Sequence, residues 1–434
     1  MCYSGKSCKD DKGNMLNEFK NSPFFRAVFL LSSGSMIAQV IRAIATPILT
    51  RIYSPEVMGQ YTYLISISAI FMGICNLRYE VAIVTDPEES HIFPLIKLST
   101  VVGTLFTITA SLILGLYFVI NGKPIFWTIL LFFNILAYSI TNVLTAYNNR
   151  KKEYKLISSM YVIRTGIQYI FAILLGLIHP VAPFLLIPYV VGEYMGISKQ
   201  AKSLKGSWRN IFNVDNTRVK EVAVAHKKQP LFSMPALLSN SLSYSLITIF
   251  IEWLFGMETV GFYSISVSLL GLPLAVIGSN ISKVFMQKAS EEYASDGTYK
   301  HSFNKTFIIL LGFSIPMVVI MFFLATPICK VLFGQGWAQS GTYIMILAPM
   351  FGVRFITSAL SPAFTIIKKQ QIEFVLQGVF LIANILGYFI TKRYGLDING
   401  FLVIISILFS FAYILYLTFI FLYSRRRMCQ DSKI

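Results

Sequence analysis

Three arginines and one glutamate lie inside stretches of the sequence that are otherwise apolar. Arg42 and Arg354 have no acidic residue at a matching depth, whereas Glu193 lies at the depth of Arg164 on the neighbouring stretch. An arginine at the centre of a bilayer costs a few kcal/mol to insert, and its guanidinium offers a rigid fork of donors that matches phosphate and carboxylate. We therefore interpret Arg42 and Arg354 as binding an anionic, phosphorylated substrate. Arg164 either contacts the substrate or forms a structural ion pair with Glu193.

Polar residues around Arg42 follow the spacing of one helical face, in steps of three and four residues. They are Ser32, Ser35, Gln39, Arg42 and Thr46. A second copy of this face follows 202 residues later and consists of Ser241, Tyr244, Thr248 and Glu252. A polar face is costly to expose to lipid, so it lines either a hydrogen-bonded seam between helices or a water-filled cavity. The coincidence of the two faces favours a shared cavity.

The candidate substrate-binding residues follow from these two faces and from the arginines. They are Gln39, Arg42, Thr46, Arg164, Ser241, Tyr244 and Arg354. Glu193 and Glu252 are candidates for a structural or coupling role. Two further polar faces extend the cavity interpretation to the fourth and tenth apolar stretches. They consist of Asn134, Tyr138, Thr141, Asn142 and Thr145 in the fourth stretch, and of Arg354, Ser358 and Ser361 in the tenth.

The elements that must position these residues are membrane-spanning helices. Of the 434 residues, 55% are apolar and only 13% are charged, and a helix of about 20 apolar residues crosses the hydrocarbon layer of a bilayer. Apolar stretches fall at 28–49, 60–77, 98–120, 125–147, 156–178 and 181–198, and again at 230–252, 260–282, 306–326, 341–363, 374–391 and 399–423. The sequence therefore predicts an all-α integral membrane protein with about twelve transmembrane helices.

The longest polar stretch divides these helices into two sets of six. We expect a cytoplasmic tail at 1–27, an N-terminal six-helix lobe at 28–198, a basic cytoplasmic linker at 199–229, a C-terminal six-helix lobe at 230–423 and a cytoplasmic tail at 424–434. Because each lobe holds an even number of spans, both lobes enter the membrane in the same orientation. A pseudo-two-fold axis along the membrane normal then relates them.

The net charge of +17 is expected to orient the chain. With both termini in the cytoplasm, 29 of the 37 Lys and Arg residues fall on the cytoplasmic side and five on the outer side, which is the distribution of the positive-inside rule. Trp127, Trp253 and Trp337 then lie at outer helix ends, where indole rings favour the headgroup region. No apolar run precedes Val28, so we expect no cleavable signal peptide.

Several other chemistries have no support in the sequence. The five cysteines match no metal or redox spacing, no phosphate-binding P-loop is present, and no histidine or carboxylate stands at catalytic spacing. We therefore expect a transporter rather than an enzyme, with no cofactor and no bound metal. Because the excess of positive charge is explained by membrane orientation, we expect no nucleic-acid partner.

Three short motifs resemble those of a known family. They are Leu49-Thr50-Arg51-Ile52-Tyr53-Ser54-Pro55-Glu56 followed by Gly59-x-Tyr61, then Arg78-Tyr79-Glu80-x-Ala82-Ile83-Val84, and Leu332-Phe333-Gly334 with Trp337 and Gly341-x-Tyr343. The motifs are similar to signatures of Wzx-type polysaccharide flippases, which belong to the multidrug/oligosaccharidyl-lipid/polysaccharide exporter superfamily. The number and order of the predicted spans resemble this superfamily over essentially the whole chain.

The resemblance implies a flippase that carries oligosaccharide repeat units, linked to polyprenyl pyrophosphate, across the bacterial plasma membrane by alternating access. Its product would serve the synthesis of O-antigen, capsule or a similar surface polysaccharide. The implied partners are this lipid-linked substrate, membrane lipids and polysaccharide polymerase machinery.

Three alternatives remain open at this point. An ion-coupled exporter of drugs or small solutes would share the architecture, but it is expected to place acidic residues in its cavity. A membrane polysaccharide polymerase is expected to have a large outer loop. A structural or assembly protein would leave the deep arginines unexplained.

Overall fold

The computed structural model describes residues 23–367 and 369–426, and every regular element in those residues is a helix. The all-helical fold predicted from the sequence is therefore confirmed for the described residues. The two predicted tails lie for the most part outside them.

The first half of the chain contains α1 (Pro23–Ile52), α2 (Pro55–Met72), α3 (Tyr79–Thr85), α4 (Ile92–Ile120), α5 (Ile125–Arg150), α6 (Tyr154–Ile178) and α7 (Pro183–Tyr194). The linker contains the short helices α8 (Ile197–Ala201), α9 (Trp208–Phe212) and α10 (Asn216–Ala225). The second half contains α11 (Met234–Phe255), α12 (Met257–Pro273), α13 (Ser279–Asp296), α14 (Lys300–Phe333), α15 (Ala338–Leu360), α16 (Ala363–Ile366), α17 (Gln370–Tyr394) and α18 (Ile398–Arg425). A five-residue π-helical turn, Gln229–Ser233, precedes α11.

Nine helical stretches of the described residues are long and apolar enough to cross a membrane. They contain α4, α5, α6, α11, α12 with α13, α14, α15, α17 and α18. The predicted first, second and sixth spans correspond to α1, α2 and α7, which are not among the nine. Helix α7 has only 12 residues, or about 18 Å of helix. The chain is thus a multi-pass membrane protein, whereas twelve spans in two lobes stay a prediction.

The span predicted at 260–282 is longer in the structure. Helices α12 and α13 form one helical stretch of 40 residues, Met257–Asp296. The sequence after residue 282 is too polar for a bilayer interior, but it contains no proline or glycine until Gly297, which ends α13 with a φ of 68°. Helix propensity therefore carries α13 beyond the apolar stretch, and Gly297 stops it in the left-handed conformation.

The motif Ser54-Pro55-Glu56 forms the start of α2. Ser54 Oγ accepts a hydrogen bond from the Val57 backbone N–H at 3.4 Å, and Pro55 occupies the first helical position, where its missing N–H is not needed. Glu56 lies in the first turn, where the helix dipole favours a negative charge. This part of the signature fixes the turn between α1 and α2.

Helices α2 and α12 pack along each other and join the two halves of the chain. An ideal Cβ on Gly59 would lie 1.8 Å from Met257 O, and one on Gly261 would lie 1.9 Å from Pro55 O. Each residue of the second contact stands 202 positions from its counterpart in the first, so the two contacts are reciprocal, as a two-fold axis requires. Only glycine permits this approach, because any side chain would collide with the facing backbone.

Residues that the sequence places on the outer side of the membrane contact one another across the two halves. Lys123 Nζ lies 3.0 Å from Glu252 Oε1, so Glu252 forms an ion pair between the two halves. Trp337 Nε1 donates a hydrogen bond to Thr50 O at 2.8 Å. Trp337 is 3% exposed while Trp253 is 51% exposed. The headgroup position predicted for Trp337 is therefore wrong, because its ring closes the contact between α1 and α15.

The linker packs on the first half of the chain. Leu204, Ile211 and Val222 are buried in one cluster with apolar residues of α3, α4 and α5. Lys97 Nζ on α4 donates a hydrogen bond to Val214 O at 2.7 Å, between α9 and α10. These contacts hold all three linker helices against the first half.

A buried carboxylate fixes the far end of the linker. Asp86 follows α3, its side chain is 4% exposed, and its Oδ2 lies 2.9 Å from His91 Nδ1 and 2.7 Å from His226 Nε2. Its Oδ1 accepts a hydrogen bond from the Glu88 backbone N–H at 2.7 Å. Burial alone would raise the pKa of Asp86, but these hydrogen bonds outweigh it and lower the pKa below the ordinary value of 3.8.

We expect Asp86→Asn to loosen the end of the linker. A lowered pKa means that the ionised carboxylate stabilises the fold above pH 3.8 and that this contribution is lost as the pH falls through the lower folded value. Asparagine removes the charge at any pH, and hydrogen bonds to charged groups contribute about 2 kcal/mol. Tryptic cleavage at Lys227 and Lys228 should then become about tenfold faster. Glu221→Gln on the exposed face of α10 is the control, and cleavage of D86N at the wild-type rate would contradict the prediction.

Candidate functional site

A cavity of about 540 Å³ lies between the two halves of the chain and contains Arg42. Gln39, Arg42 and Thr46 line it from α1, and Thr248 lines it from α11. Three residues of the predicted polar face of α1 and one of the face of α11 therefore line the same cavity, which we name the Arg42 cavity.

A second cavity of about 550 Å³ contains Arg354 and is named the Arg354 cavity. Both cavities are lined by Val267, Gly271 and Ala275, so they are adjacent. The polar residues of the second cavity are Ser279, Ser282, Lys283, Arg354 and Ser358. The tenth predicted span thus presents Arg354 and Ser358 to a cavity, as its polar face indicates.

Tyrosines surround Arg42 on the side of the first half. Tyr61, Tyr169 and Tyr189 line the same cavity. Their hydroxyl groups lie close enough to the Arg42 guanidinium to interact with its charge. The Tyr61 and Tyr189 rings meet edge to face at 6.1 Å between centroids, and Tyr61 OH accepts a hydrogen bond from Gln168 Nε2 at 2.9 Å. These contacts fix the rings, so the cavity wall is an ordered array of hydroxyl groups and aromatic edges.

Aromatic rings also hold Arg354. Its Cζ lies 4.4 Å from the centroid of the Tyr244 ring and 5.1 Å from that of Phe351. Tyr244 OH in turn lies 2.7 Å from Tyr413 OH. Tyr244, one of the predicted site residues, therefore positions Arg354 by a cation–π contact.

Arg42 and Arg354 have no acidic partner in the part of the chain that the structure describes. Within the described residues, no carboxylate forms an ion pair with Arg42 or Arg354, and no Asp or Glu lines either cavity. A cation–π contact stabilises a guanidinium without cancelling its charge. The two adjacent cavities are therefore positively charged, and their arginines are able to bind an anionic group.

Ser241 does not line either cavity in the described structure. Its Oγ lies 3.5 Å from the ideal Cβ position of Gly73 on α2. It therefore belongs to the contact between α2 and α11. Tyr244 lines neither cavity either, so the polar face of α11 is divided between this contact, the cation–π contact of Tyr244 with Arg354, the Arg42 cavity at Thr248 and the ion pair of Glu252.

Arg164 lies inside the first half and forms the ion pair considered from the sequence. Its Nη1 lies 3.7 Å from Glu193 Oε2, and the two side chains are 13% and 20% exposed. Arg164 Nη2 also donates to Thr141 Oγ1 at 3.1 Å and its Nε donates to Met195 O at 3.2 Å. Arg164 lines neither cavity. Of the two roles considered from the sequence, its position therefore fits the ion pair with Glu193 and not a contact with substrate.

The polar face of α5 is a hydrogen-bonded seam rather than a wall of the two large cavities. Its members bond to other polar groups of the first half and of the linker. The bonds are Asn134 Nδ2 to Ser68 Oγ (3.0 Å), Asn142 Nδ2 to Asn76 Oδ1 (3.5 Å), Arg164 Nη2 to Thr141 Oγ1 (3.1 Å) and Gln200 Nε2 to Thr145 Oγ1 (3.3 Å). The cavity interpretation of this face is therefore wrong, because periodicity does not distinguish a neighbouring helix from water.

We expect Arg164→Gln to lower stability by about 3 kcal/mol, because it leaves the half-buried Glu193 carboxylate without a charged partner. The double variant Arg164→Gln/Glu193→Gln should regain most of that loss, since it removes both charges. Thermal unfolding of the purified protein in detergent measures both effects. A single variant as stable as the wild type would show that the ion pair makes no contribution.

Six functional candidates were missed by the sequence analysis: Tyr61, Tyr169, Tyr189, Tyr263, Lys283 and Tyr413. Tyr61 and Tyr263 stand at equivalent positions of the repeat, 202 residues apart, so this pair is visible in the sequence. Each lies near one arginine, Tyr61 near Arg42 and Tyr263 near Arg354. A pair of aromatic residues preserved across the repeat next to two buried charges was the available signal.

The model of the polysaccharide biosynthesis protein family matches residues 48–342, which is more than half of the chain. The chain belongs to this family. This match confirms that the chain is of the polysaccharide-biosynthesis type that the three motifs resemble. The matched range contains the whole of α2, with Tyr61, and the whole of α12.

Individual relatives agree with the family. The chain is 22% identical over 372 residues to the capsular polysaccharide biosynthesis protein CapF of Staphylococcus aureus, covering 84% of this chain and 91% of the relative. Its fold is similar to that of the lipid II flippase MurJ in an inward closed conformation (TM-score 0.68, 14% identity, 91% and 86% coverage). It is also similar to a multidrug resistance MATE family transporter in an inward-facing conformation (TM-score 0.65, 14% identity, 92% and 97% coverage).

Proposed function

We propose that this polysaccharide biosynthesis protein is a flippase for oligosaccharide repeat units carried on polyprenyl pyrophosphate. It would move them across the bacterial plasma membrane by alternating access of its two halves, with both termini in the cytoplasm, and deliver them to polymerase machinery for capsule or another surface polysaccharide. The observation that carries this proposal is the pair of adjacent cavities, each with an arginine that forms no ion pair with any carboxylate of residues 23–367 and 369–426.

The chemistry of such a substrate matches the two cavities. Pyrophosphate is a dense anion, and the Arg354 cavity offers it a guanidinium beside serine hydroxyls. A glycan presents many hydroxyls and apolar ring faces, which match the hydroxyl groups and aromatic rings around Arg42. A headgroup that spans both cavities would occupy the whole space between the two halves.

An ion-coupled exporter of cationic drugs fits the structure less well. Such a cargo needs a carboxylate in the cavity, and none lines either cavity in the described residues. Glu193 is the acidic residue that the sequence places deepest in the membrane, and it forms an ion pair with Arg164.

A polysaccharide polymerase also fits less well, because the connections on the outer side are short. Two residues join α1 to α2, four join α4 to α5, and three join α17 to α18. These segments offer no space for the large catalytic loop that such an enzyme is expected to have.

The proposal is tested by reconstituting the purified chain in liposomes that contain a fluorescent polyprenyl-pyrophosphate oligosaccharide. A membrane-impermeant reductant then destroys the label in the outer leaflet. With an active flippase all of the label should become accessible over time, and without protein only about half of it. Protein-containing liposomes that behave as empty ones do would contradict the proposal, and uptake of a cationic dye instead would favour the drug exporter.

A further inference from the structure

Helix α9 exposes two aromatic side chains although it lies in a charged linker. Trp208 is 40% exposed and Phe212 is 71% exposed, and their spacing of four residues places them on the same side of the helix. An adjacent side of the helix is anchored, because Ile211 is buried in the cluster formed with α4. An apolar face of this kind is presented to a surface outside the chain.

The position of α9 is set by the lipid-facing side of α4. On that helix, which belongs to a candidate span, Val101, Leu105 and Ile108 are exposed apolar residues at helical spacing. The next position of this stripe toward the linker is Lys97, whose Nζ donates to Phe212 O at 3.2 Å. Lys97 lies four residues before Val101, so the Phe212 backbone is about one helical turn from the first lipid-facing side chain. This is the depth of the lipid headgroups.

The chain around α9 is basic. From residue 199 to residue 209 it contains Lys199, Lys202, Lys205 and Arg209 and no acidic residue, and all four side chains are exposed. Basic residues at a bilayer surface attract anionic lipids, by about fivefold for each charge. Tryptophan favours the headgroup region because its ring is both apolar and polar.

We propose that α9 and its basic neighbours bind the anionic lipid headgroups of the leaflet on the linker side, with Trp208 and Phe212 inserted between them. An acidic protein partner would satisfy the charges. It would not account for an aromatic face one helical turn from the lipid-facing stripe of α4. This anionic-lipid site is separate from the two cavities and does not depend on the transported substrate.

The test uses the full chain reconstituted in vesicles of phosphatidylcholine and phosphatidylglycerol, with bromine atoms near the headgroup end of the acyl chains of one lipid at a time. The Trp208 signal is the difference in fluorescence between the wild type and Trp208→Phe. We expect bromine to quench this signal, and phosphatidylglycerol to quench it at least about twofold more than phosphatidylcholine at the same content.

A triple variant, Lys202→Gln/Lys205→Gln/Arg209→Gln, should lose this preference while Trp208 remains quenched. The matched control removes three exposed lysines of the second half, Lys288→Gln/Lys300→Gln/Lys305→Gln, and should keep it. Circular dichroism of each reconstituted variant verifies that the helices are intact. A Trp208 signal that neither lipid quenches, equal quenching by both lipids in the wild type, or a preference that survives in the triple variant would each overturn the proposal.

Discussion

Replacing Arg354 by alanine is expected to reduce flipping by about a hundredfold. None of the described residues that line the cavity of this guanidinium is a carboxylate, and the loss of one partner from a desolvated charge pair costs about 2–5 kcal/mol. Tyr244 and Phe351 would keep the cavity apolar after the change. The variant should therefore fold normally but bind the lipid carrier poorly. The initial rate in the liposome assay measures the effect, with equal amounts of reconstituted protein.

Two further variants make this result specific. Arg354→Lys keeps the charge but loses the planar fork, so it should retain part of the activity. Arg393→Ala removes an exposed arginine at the end of α17 and should leave the rate unchanged. Arg42→Ala should lower the rate in the same direction as Arg354→Ala. If both alanine variants flip at the wild-type rate, the arginines do not bind the substrate.

Replacing Gly261 by alanine is expected to hold the outer face open. The new Cβ would lie 1.9 Å from Pro55 O, so α2 and α12 would have to separate in the state described here. Overpacking of this kind costs about 1–3 kcal/mol, which changes the ratio of closed to open molecules by about 5- to 150-fold. Gly59→Ala should act alike, because its contact with Met257 O is reciprocal.

The measurement is the labelling rate of a single cysteine in the Arg42 cavity, Thr46→Cys in a background without other cysteines. An impermeant thiol reagent added from the outer side should react at least about fivefold faster when Gly261→Ala is present. Gly312→Ala on α14 is the matched control, since nothing lies within 4 Å of its ideal Cβ. Equal labelling of all three proteins would show that this glycine contact does not close the outer face.

Much of the fold is predictable because the length of each apolar stretch and the distribution of charge can be taken directly from the sequence. The linker is visible in the sequence as a long polar, basic stretch. The second span is predicted at 60–77, whereas its helix begins earlier, at Pro55, because Ser54 and Pro55 start it. Helix α13 exceeded its predicted end because apolar length marks the bilayer, whereas helix propensity continues through polar residues until Gly297. Trp337 was misplaced because its burial depends on Thr50, which is distant in sequence.

The site was predicted less completely, for a related reason. Arg42 and Arg354 were identified because a charge inside an apolar stretch is visible in the sequence, and Gln39 and Thr46 followed by periodicity. Periodicity finds a polar face but does not reveal what it meets. Asn142 and Gln39 therefore both belong to polar faces in the sequence, although Asn142 forms a hydrogen bond with Asn76 within one half. Lys283 does not stand out in the sequence because it lies in the polar helix α13, which follows α12.

The attachment of the linker to one half determines where the chain must bend. Leu204, Ile211 and Val222 hold the linker to the first half, and Asp86 holds it as far as His226. In the proposed transport cycle, relative motion of the halves would therefore be concentrated in Gln229–Ser233, where a π-helical turn with Pro230 precedes α11. The gene is therefore divisible at codon 228: coexpressed fragments ending at Lys228 and starting at Gln229 should reassemble through the contacts that join the two halves, such as those between α2 and α12.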